Sequence, residues 1–340
     1  MASIPKAPLG RNGPEVNRIG FGCMGLSAFY GPPKPDNERF AVLDAAYEAG
    51  EHFWDSADIY MDNEDLLGKW FAANPEKRKD IFLATKFALH PKPDGSLEIR
   101  GDPEYVKEAC AKSLKRLGLP YVDLYYCHRL DKNVPVEKTV QAMAELKKEG
   151  KIKYLGLSEC SAESLRRACK VHPITAVQIE YSPFTLDIED PRVKLLETCR
   201  ELGVAVVAYS PLGRGMLTGK YRSPNDFPEG DWRRMAPRFS EENFPKNLQL
   251  VDEIQSLARK KGCTAGQLTL AWLLAQGEDI FPIPGTTQID RLKENIGAVN
   301  VHLSKEDVDI IRKACKNAEV HGERYPAQMA DHLFADTPAL

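Results

Sequence analysis

From residue 36 onward the chain alternates between amphipathic helical runs and short apolar strand runs, and this alternation restricts the fold more than any other feature. Helices are expected over 37–49, 63–73, 103–117, 135–149, 162–171 and 191–202, with strands over 51–55, 81–86, 122–128, 152–158, 176–180 and 204–209. A first core strand over 18–22 precedes them; helices over 247–261 and 264–276, a strand over 280–283 and helices over 289–298 and 305–318 follow. Eight strand–helix units in 340 residues predict an α/β fold, a (β/α)8 barrel of the TIM type running over 1–340 as one domain with two extra helices. Ahead of it, Asn12-Gly13 between flanks that include Leu9, Val16 and Ile19 predicts a short hairpin capping one end.

Three of the apolar runs end abruptly in a reactive side chain. Phe53-Trp54 runs into Asp55, with Tyr60 five residues later; the run over 81–85 ends at Lys86, and that over 122–127 at His128. In parallel strands all four residues emerge at the carboxyl edge, where barrels keep their ligands. A strand-end lysine can be a solvated rim charge, and a strand-end histidine a satisfied core residue. Their convergence supports more. Lys86 beside the Tyr60 phenol stabilises tyrosinate and lowers its pKa, Asp55 keeps the lysine protonated, and Tyr60 becomes a proton donor. His128 is placed to hydrogen-bond the same substrate oxygen, whereas Asp58 is read as turn chemistry.

The second half of the chain offers a phosphate site. Tyr209-Ser210-Pro211-Leu212-Gly213-Arg214-Gly215 puts an aromatic face and a glycine-rich turn after the seventh strand, and Pro282 to Gln288 puts another turn after the eighth, with Arg291 one helical turn on. Loops after strands seven and eight form the phosphate site of such barrels. Gly20-Phe21-Gly22-Cys23-Met24-Gly25 also spells the dinucleotide pattern, but Gly31-Pro32-Pro33-Lys34-Pro35 intervenes before any helix, so no helix amino terminus faces a pyrophosphate there. The long connections over 89–102 and 210–245 are read as functional, the latter as a cofactor-covering loop. In the tail over 319–340, Tyr325, Met329, Leu333 and Phe334 either drape over the pocket mouth or stay flexible.

Net charge of -3 and a pI near 6.2 provide no basic stripe, which argues against nucleic acid. The segment from Met1 to Lys6 lacks the apolar core of a leader and no run is long enough to span a bilayer, so a cytoplasmic protein without a membrane partner is expected. The eight cysteines form no C-x-x-C pair and are expected as reduced, buried thiols. Neither H-E-x-x-H nor a Cys/His cluster occurs, so no metal site is expected.

Phe53 to Tyr60 with Asn63-Glu64-Asp65-Leu66-Leu67-Gly68, Ala84-Thr85-Lys86, Val122-Asp123-Leu124 with His128, Tyr209 to Gly215 and Ile283 to Asn295 together resemble the aldo-keto reductase family, essentially end to end. Cys127-His128-Arg129 and Gly156-Leu157-Ser158-Glu159 are similar to the branch that includes microbial and plant aldehyde and pyridoxal-type reductases. The resemblance implies NADP(H) lying extended across the carboxyl face of the barrel and a small-molecule aldehyde or ketone as substrate. It implies Tyr60 as general acid, Lys86 and Asp55 as its tuners and His128 as the donor to the carbonyl oxygen. Tyr209 would stack on the nicotinamide; Ser158, Glu159 and Gln178 would hold the carboxamide, and Ser210, Leu212 and Gly213 the pyrophosphate. Gly285, Thr286, Gln288, Arg291, Glu294 and Asn295 would hold the adenosine end. Three positions depart from the pattern. Glu159 stands where many relatives have asparagine, although a carboxylate still accepts from a carboxamide NH2. Met61-Asp62 replaces a glycine-rich step after the tyrosine. Thr287 and Gln288 stand where relatives often carry a basic residue, which leaves Arg291 as the main candidate for a 2′-phosphate. Met24, Phe29, Tyr30, Met61, Phe87 and Trp232 are expected to line an apolar pocket. Two rival readings are Schiff-base chemistry at Lys86, as in barrel aldolases, and a cofactor-bound regulatory subunit with little turnover.

Overall fold

The structure, a computed structural model, describes residues 3–340; Met1 and Ala2, at the head of the segment read as lacking a leader, lie outside them. Eight parallel strands form one sheet in sequential order: β3 (Phe21–Gly22), β4 (Phe53–Asp55), β5 (Phe82–Phe87), β8 (Val122–Cys127), β9 (Ile152–Ser158), β10 (Ala176–Glu180), β11 (Ala205–Tyr209) and β12 (Ile280–Pro282). Two hydrogen bonds bring the last strand back against the first: Gly20 N donates to Pro282 O at 3.0 Å and Gly22 N to Pro284 O at 3.2 Å. Both acceptors belong to prolines, which have no N–H to return, so the seam is bonded in one direction only. That one-sided pairing is why the first strand, expected over 18–22, is reduced to Phe21–Gly22.

The pleat has a period of two, and its phase sets the interior. Phe53, Ala84, Leu124, Tyr126, Ala176, Ala205, Val207, Phe281 and Ile283 face one another as a closed apolar cluster inside the ring. The hairpin of β1 (Lys6–Pro8) and β2 (Glu15–Asn17) plugs the amino-terminal end, adding Ala7, Leu9 and Val16 to that cluster. Its second strand holds Val16 as expected, whereas the first ends one residue before Leu9, because Leu9 turns inward and Leu9 N closes the loop on Pro14 O at 2.9 Å. Gly156 is required here: a Cβ would stand 2.4 Å from the Tyr126 ring, which fills the centre of the barrel.

Outside the ring lie α1 (Asp36–Glu48), α2 (Asn63–Ala73), α3 (Pro103–Leu117), α4 (Val136–Lys148), α5 (Ala162–Val171), α6 (Leu195–Leu202), α7 (Phe244–Lys261), α8 (Ala265–Leu274), α9 (Ile289–Ile296) and α10 (Lys305–Asn317). Helix α3 shows why such boundaries are readable: Asp102 accepts from Tyr105 N at its start, and Gly118 takes φ 63° at its end. Helix α6 begins four residues later than expected. The Asp190 carboxylate accepts from Arg192 N at 2.8 Å and Lys194 takes φ 55°, so a turn replaces the first helical turn. Helices α7 and α10 pack together as the two additions.

The long connections carry structure of their own. The 89–102 segment forms a hairpin of β6 (Leu89–Pro91) and β7 (Leu97–Ile99). The 210–245 segment is a chain of short 3-10 turns around buried Phe227 and Phe239, with Arg233 stacked on Phe227 at 4.2 Å and ion-paired to Asp231 at 2.6 Å. The tail returns to the carboxyl face, passes through α11 (Ala327–Ala330), and adds a bridge in which Ser161 N donates to Ala335 O and Ala335 N to Glu159 O. All eight cysteines are free thiols; Cys169 and Cys263 are part-exposed and the rest buried. No helix of the described residues is long and apolar enough to cross a membrane.

The seam yields a stability test. A Cβ on Gly285 would meet Gly22 O at 2.5 Å, and backbone cannot swing aside as a side chain does. Gly285→Ala is expected to cost about 1–3 kcal/mol, the usual range for overpacking. Urea unfolding with an unchanged midpoint would show that the strands separate freely there.

Candidate active site

The same period of two that builds the apolar cluster continues to the carboxyl end of the strands, where the inward positions become Asp55, Lys86, Ser158, Gln178, Glu180 and Tyr209. Lys86 is wholly buried. Its ammonium donates to Asp55 Oδ1, to Ser56 O at 2.7 Å and to Tyr60 Oη at 3.3 Å, which uses all three of its protons. Gln178 Nε2 donates to the second Asp55 oxygen at 2.8 Å. Burial works against the lysine's charge, but Asp55 and Tyr60 outweigh it and hold its pKa above the ordinary lysine value.

Tyr60 sits on the loop between β4 and α2, and several elements position it. Ser56 N and Asp58 N donate to the Ala84 and Lys86 carbonyls, and Arg116 of α3 donates to the carbonyls of Asp58, at 3.0 Å, and Met61. Met61 takes φ 51°, the left-handed conformation for which glycine is suited, and its side chain is 72% exposed. The departure at Met61-Asp62 thus keeps the turn at a local backbone cost, while Asp62 pairs with Arg39 at 2.9 Å. Burial raises the Tyr60 phenol above its ordinary pKa, and Lys86 offsets only part of that. The expectation that Lys86 brings the phenol down toward the working range is therefore corrected: Tyr60 holds its proton at neutral pH, which is the form a donor needs.

His128 packs edge-on to Tyr60 with ring centroids 5.8 Å apart. Burial first, then the charges of Arg129 and Lys86, push its pKa well below the ordinary histidine value, so the ring is neutral. Its Nδ1 is sealed from solvent with no described partner. Of the residues expected to line a pocket, Phe29 stands edge-on to Tyr60 at 6.4 Å and Met24 packs beside it. Phe87 does not: it has the opposite pleat phase from Lys86 and stacks on Tyr125 beneath the helices, 4.8 Å away.

On the other side of the face the arrangement differs from expectation at Glu159. Its carboxylate accepts from Tyr209 Oη at 2.7 Å and from Arg324 Nη1 at 3.1 Å, so the tail, absent from the predicted site, occupies it. Tyr325 lies 3.0 Å from Tyr209 Oη and stacks on Trp232, and the Arg214 guanidinium lies against both rings. Glu180, also missed, is buried at the end of β10 and pairs with Arg214 at 2.9 Å and with Arg324 at 3.6 Å. Burial opposes its charge, but Arg214, Arg324 and Arg238 hold its pKa below the ordinary value. A strand-end acid is the signal that singled out Asp55, and it was present at Glu180.

The phosphate-side residues converge from distant positions. Ser210, Gly213, Arg214 and Gly215 all have positive φ, between 48° and 90°, and Gly213 N and Gly215 N donate to the Ser210 and Leu212 carbonyls at 2.9 and 3.0 Å, so the segment folds into consecutive tight turns. Gly266 of α8 lies between Leu212 and Glu294: a Cβ there would stand in ordinary contact with both, 3.6 Å from Glu294 Oε1 and 3.9 Å from Leu212 Cδ2. Gln288 N donates to Thr286 Oγ1 at 3.1 Å ahead of α9, and Asn295 is buried. Arg291, exposed, pairs with Glu294 at 2.5 Å.

Asp58 provides a pH test. It lies in the expected turn, yet its Oδ1 is sealed without a described partner, and burial with the nearby Glu64 raises its pKa from 3.8 to about 8. Between those values the folded protein binds a proton that the unfolded chain releases, so this group makes stability fall as pH rises through the window and level off above it. Asp58→Asn is expected to flatten the decline. Parallel loss of stability in both proteins, followed by urea unfolding, would mean that Asp58 is already ionised in the fold.

Comparisons with known proteins agree with this architecture. The family model described as Aldo/keto reductase family matches residues 18–316. The chain is 55% identical over 342 residues to "Aldo-keto reductase str7" of Strobilurus tenacellus, and 51% identical over 341 residues to "Aldo-keto reductase yakc [NADP(+)]" of Schizosaccharomyces pombe, with 99% of each chain covered in both cases. The structure of the glycerol dehydrogenase AKR11B4 from Gluconobacter oxydans superposes with a TM-score of 0.82 at 25% identity, covering 95% of this chain and 98% of that one. With the matched region running through all eight strands of the barrel and the site at their carboxyl ends, the chain belongs to the aldo/keto reductase family.

Proposed function

We propose that this protein reduces aldehydes or ketones with NADPH and that Tyr60 gives the proton to the carbonyl oxygen. The observation that carries the reading is the Lys86 ammonium, saturated by Asp55, the Ser56 carbonyl and the Tyr60 phenol. A lysine whose protons are all engaged and whose pKa is raised suits the stabilisation of a phenolate and not attack on a carbonyl, which needs a depressed lysine pKa. This favours proton donation over Schiff-base chemistry.

The fungal relative named with NADP(+) points to the cofactor, and the residues fit one. The tight turns from Ser210 to Gly215 and the bare backbone of Gly266 between Leu212 and Glu294 leave room for one. Ser210, Leu212 and Gly213 would hold the pyrophosphate; Gly285, Thr286, Gln288, Arg291, Glu294 and Asn295 the adenosine end. Ser158 and Gln178 would orient the carboxamide, and Tyr209 would face the ring. Glu159, which also anchors the tail through Arg324, would accept from the carboxamide NH2 with its remaining lone pairs. What bound NADPH supplies is hydride for the carbonyl carbon. The chain's own part is to receive the oxygen. Neutral His128 carries one N–H to orient it, Tyr60 Oη delivers the proton, and Lys86 stabilises the tyrosinate that remains. The 210–245 segment, tied to the tail through Trp232 and Tyr325, covers the cofactor in this reading.

Tyr60→Phe is expected to retain NADPH binding and to lose about 10²- to 10⁴-fold in kcat across an aldehyde panel, the usual worth of general acid help. Cofactor absorbance and fluorescence titration measure the two; equal loss of binding and turnover would remove Tyr60 from the acid role. Arg291→Ala is expected to weaken NADPH binding about ten- to a hundredfold, since a charged hydrogen bond contributes roughly 1.5–3 kcal/mol, while changing NADH binding little. Equal loss for both cofactors would mean that Arg291 holds α9 and not a 2′-phosphate.

A further inference from the structure

Five arginines among the described residues are buried, and four have a carboxylate within 4.0 Å: Arg39 pairs with Asp36 and Asp62, Arg78 with Asp123, Arg233 with Asp231, and Arg324 with Glu159 and Glu180. Arg129 alone has none. Its Nη1 donates to the His128 carbonyl at 2.7 Å and lies 3.4 Å from Ser158 Oγ. Its Nε and Nη2 bond to no other described residue, and neither is a sealed orphan of the kind His128 Nδ1 is, so they keep accessible surface beside His128 at the carboxyl ends of the strands.

An unpaired charge held out of water is costly, and a fold keeps one where a ligand completes it. Arg129 directly follows His128, and its charge is felt by both Tyr60 and His128. A guanidinium edge matches a carboxylate in a two-point fork, which a neutral substrate cannot offer. We infer that Arg129 receives an anionic oxygen of the substrate, so that the preferred aldehydes or ketones carry a carboxylate near the reacting carbonyl. This rests on the carbonyl-reduction reading above. The same guanidinium chemistry would accept a cofactor phosphate, and the test separates the two sources.

The probes are the ortho, meta and para carboxybenzaldehydes and their methyl esters, which keep the aldehyde and remove the charge. Kinetics with NADPH are run on the full chain, and calorimetry measures each compound against protein loaded with NADP+. Wild type is expected to favour at least one acid over its ester by about ten- to a hundredfold in kcat/KM, the range of a charge-assisted hydrogen bond. Arg129→Met is expected to bring that ratio close to one, chiefly through the KM of the acid, and Arg129→Lys to restore part of it. NADPH affinity is expected to move little. No preference in wild type, or equal losses for acid and ester in Arg129→Met, overturns the proposal, as does a loss confined to NADPH binding, which assigns the anion to the cofactor. If no compound turns over, the carbonyl-reduction reading fails on its own, and acid-over-ester binding that depends on Arg129 still decides whether the anion site exists.

Discussion

The structure depends on one charge, the Lys86 ammonium at the centre of the carboxyl face. Moving an ammonium from water into a barrel interior costs several kcal/mol unless an opposite charge and further acceptors meet it. Asp55, the Ser56 carbonyl and the Tyr60 phenol do so, and Gln178 satisfies the remaining Asp55 oxygen. Each of these groups comes from β4, β5, β10 or the loop after β4, so the arrangement requires the ring to have closed. Proton chemistry and fold share the same constraint: the neighbours that keep Lys86 charged are those that place the phenol against it.

A second layer of charge surrounds the first. Glu159 and Glu180 end adjacent strands, and they bind Arg324 of the tail and Arg214 of the loop after β11. The rings of Trp232 and Tyr325 close over Arg214. Backbone bonds between Ala335 and the 159–161 segment fasten the tail a second time. The tail is therefore part of the pocket wall, and the loop over 210–245 is joined to it, so movement of one strains contacts of the other.

Much of this was legible in the sequence because it is local. Helix boundaries at Asp102 and Gly118 follow from capping chemistry within a few residues, and the strands follow from apolar runs of the right length. Asp55, Lys86 and His128 stood out because each ends such a run, and parallel strands in a ring have a common carboxyl edge. The pleat's period of two, seen once the strands are paired, turns Asp55 and Lys86 inward and puts Phe87, which was expected to line the pocket, in the outer core on Tyr125.

What the tertiary structure decided is everything that depends on which distant charges become neighbours. Nothing local relates Glu159 to Arg324, 165 residues away, or Gly266 to the space between Leu212 and Glu294. The sign of the Tyr60 shift is of the same kind, because it weighs the field of one lysine against burial by the whole barrel mouth, and burial is a property of the closed ring. The sequence by itself determined most of the strands and the identity of the groups at their ends. Only the closed barrel decided which of those charges are paired and which, like Arg129, are left without a carboxylate, because pairing at long range is fixed by the packing of the ring and not by spacing along the chain.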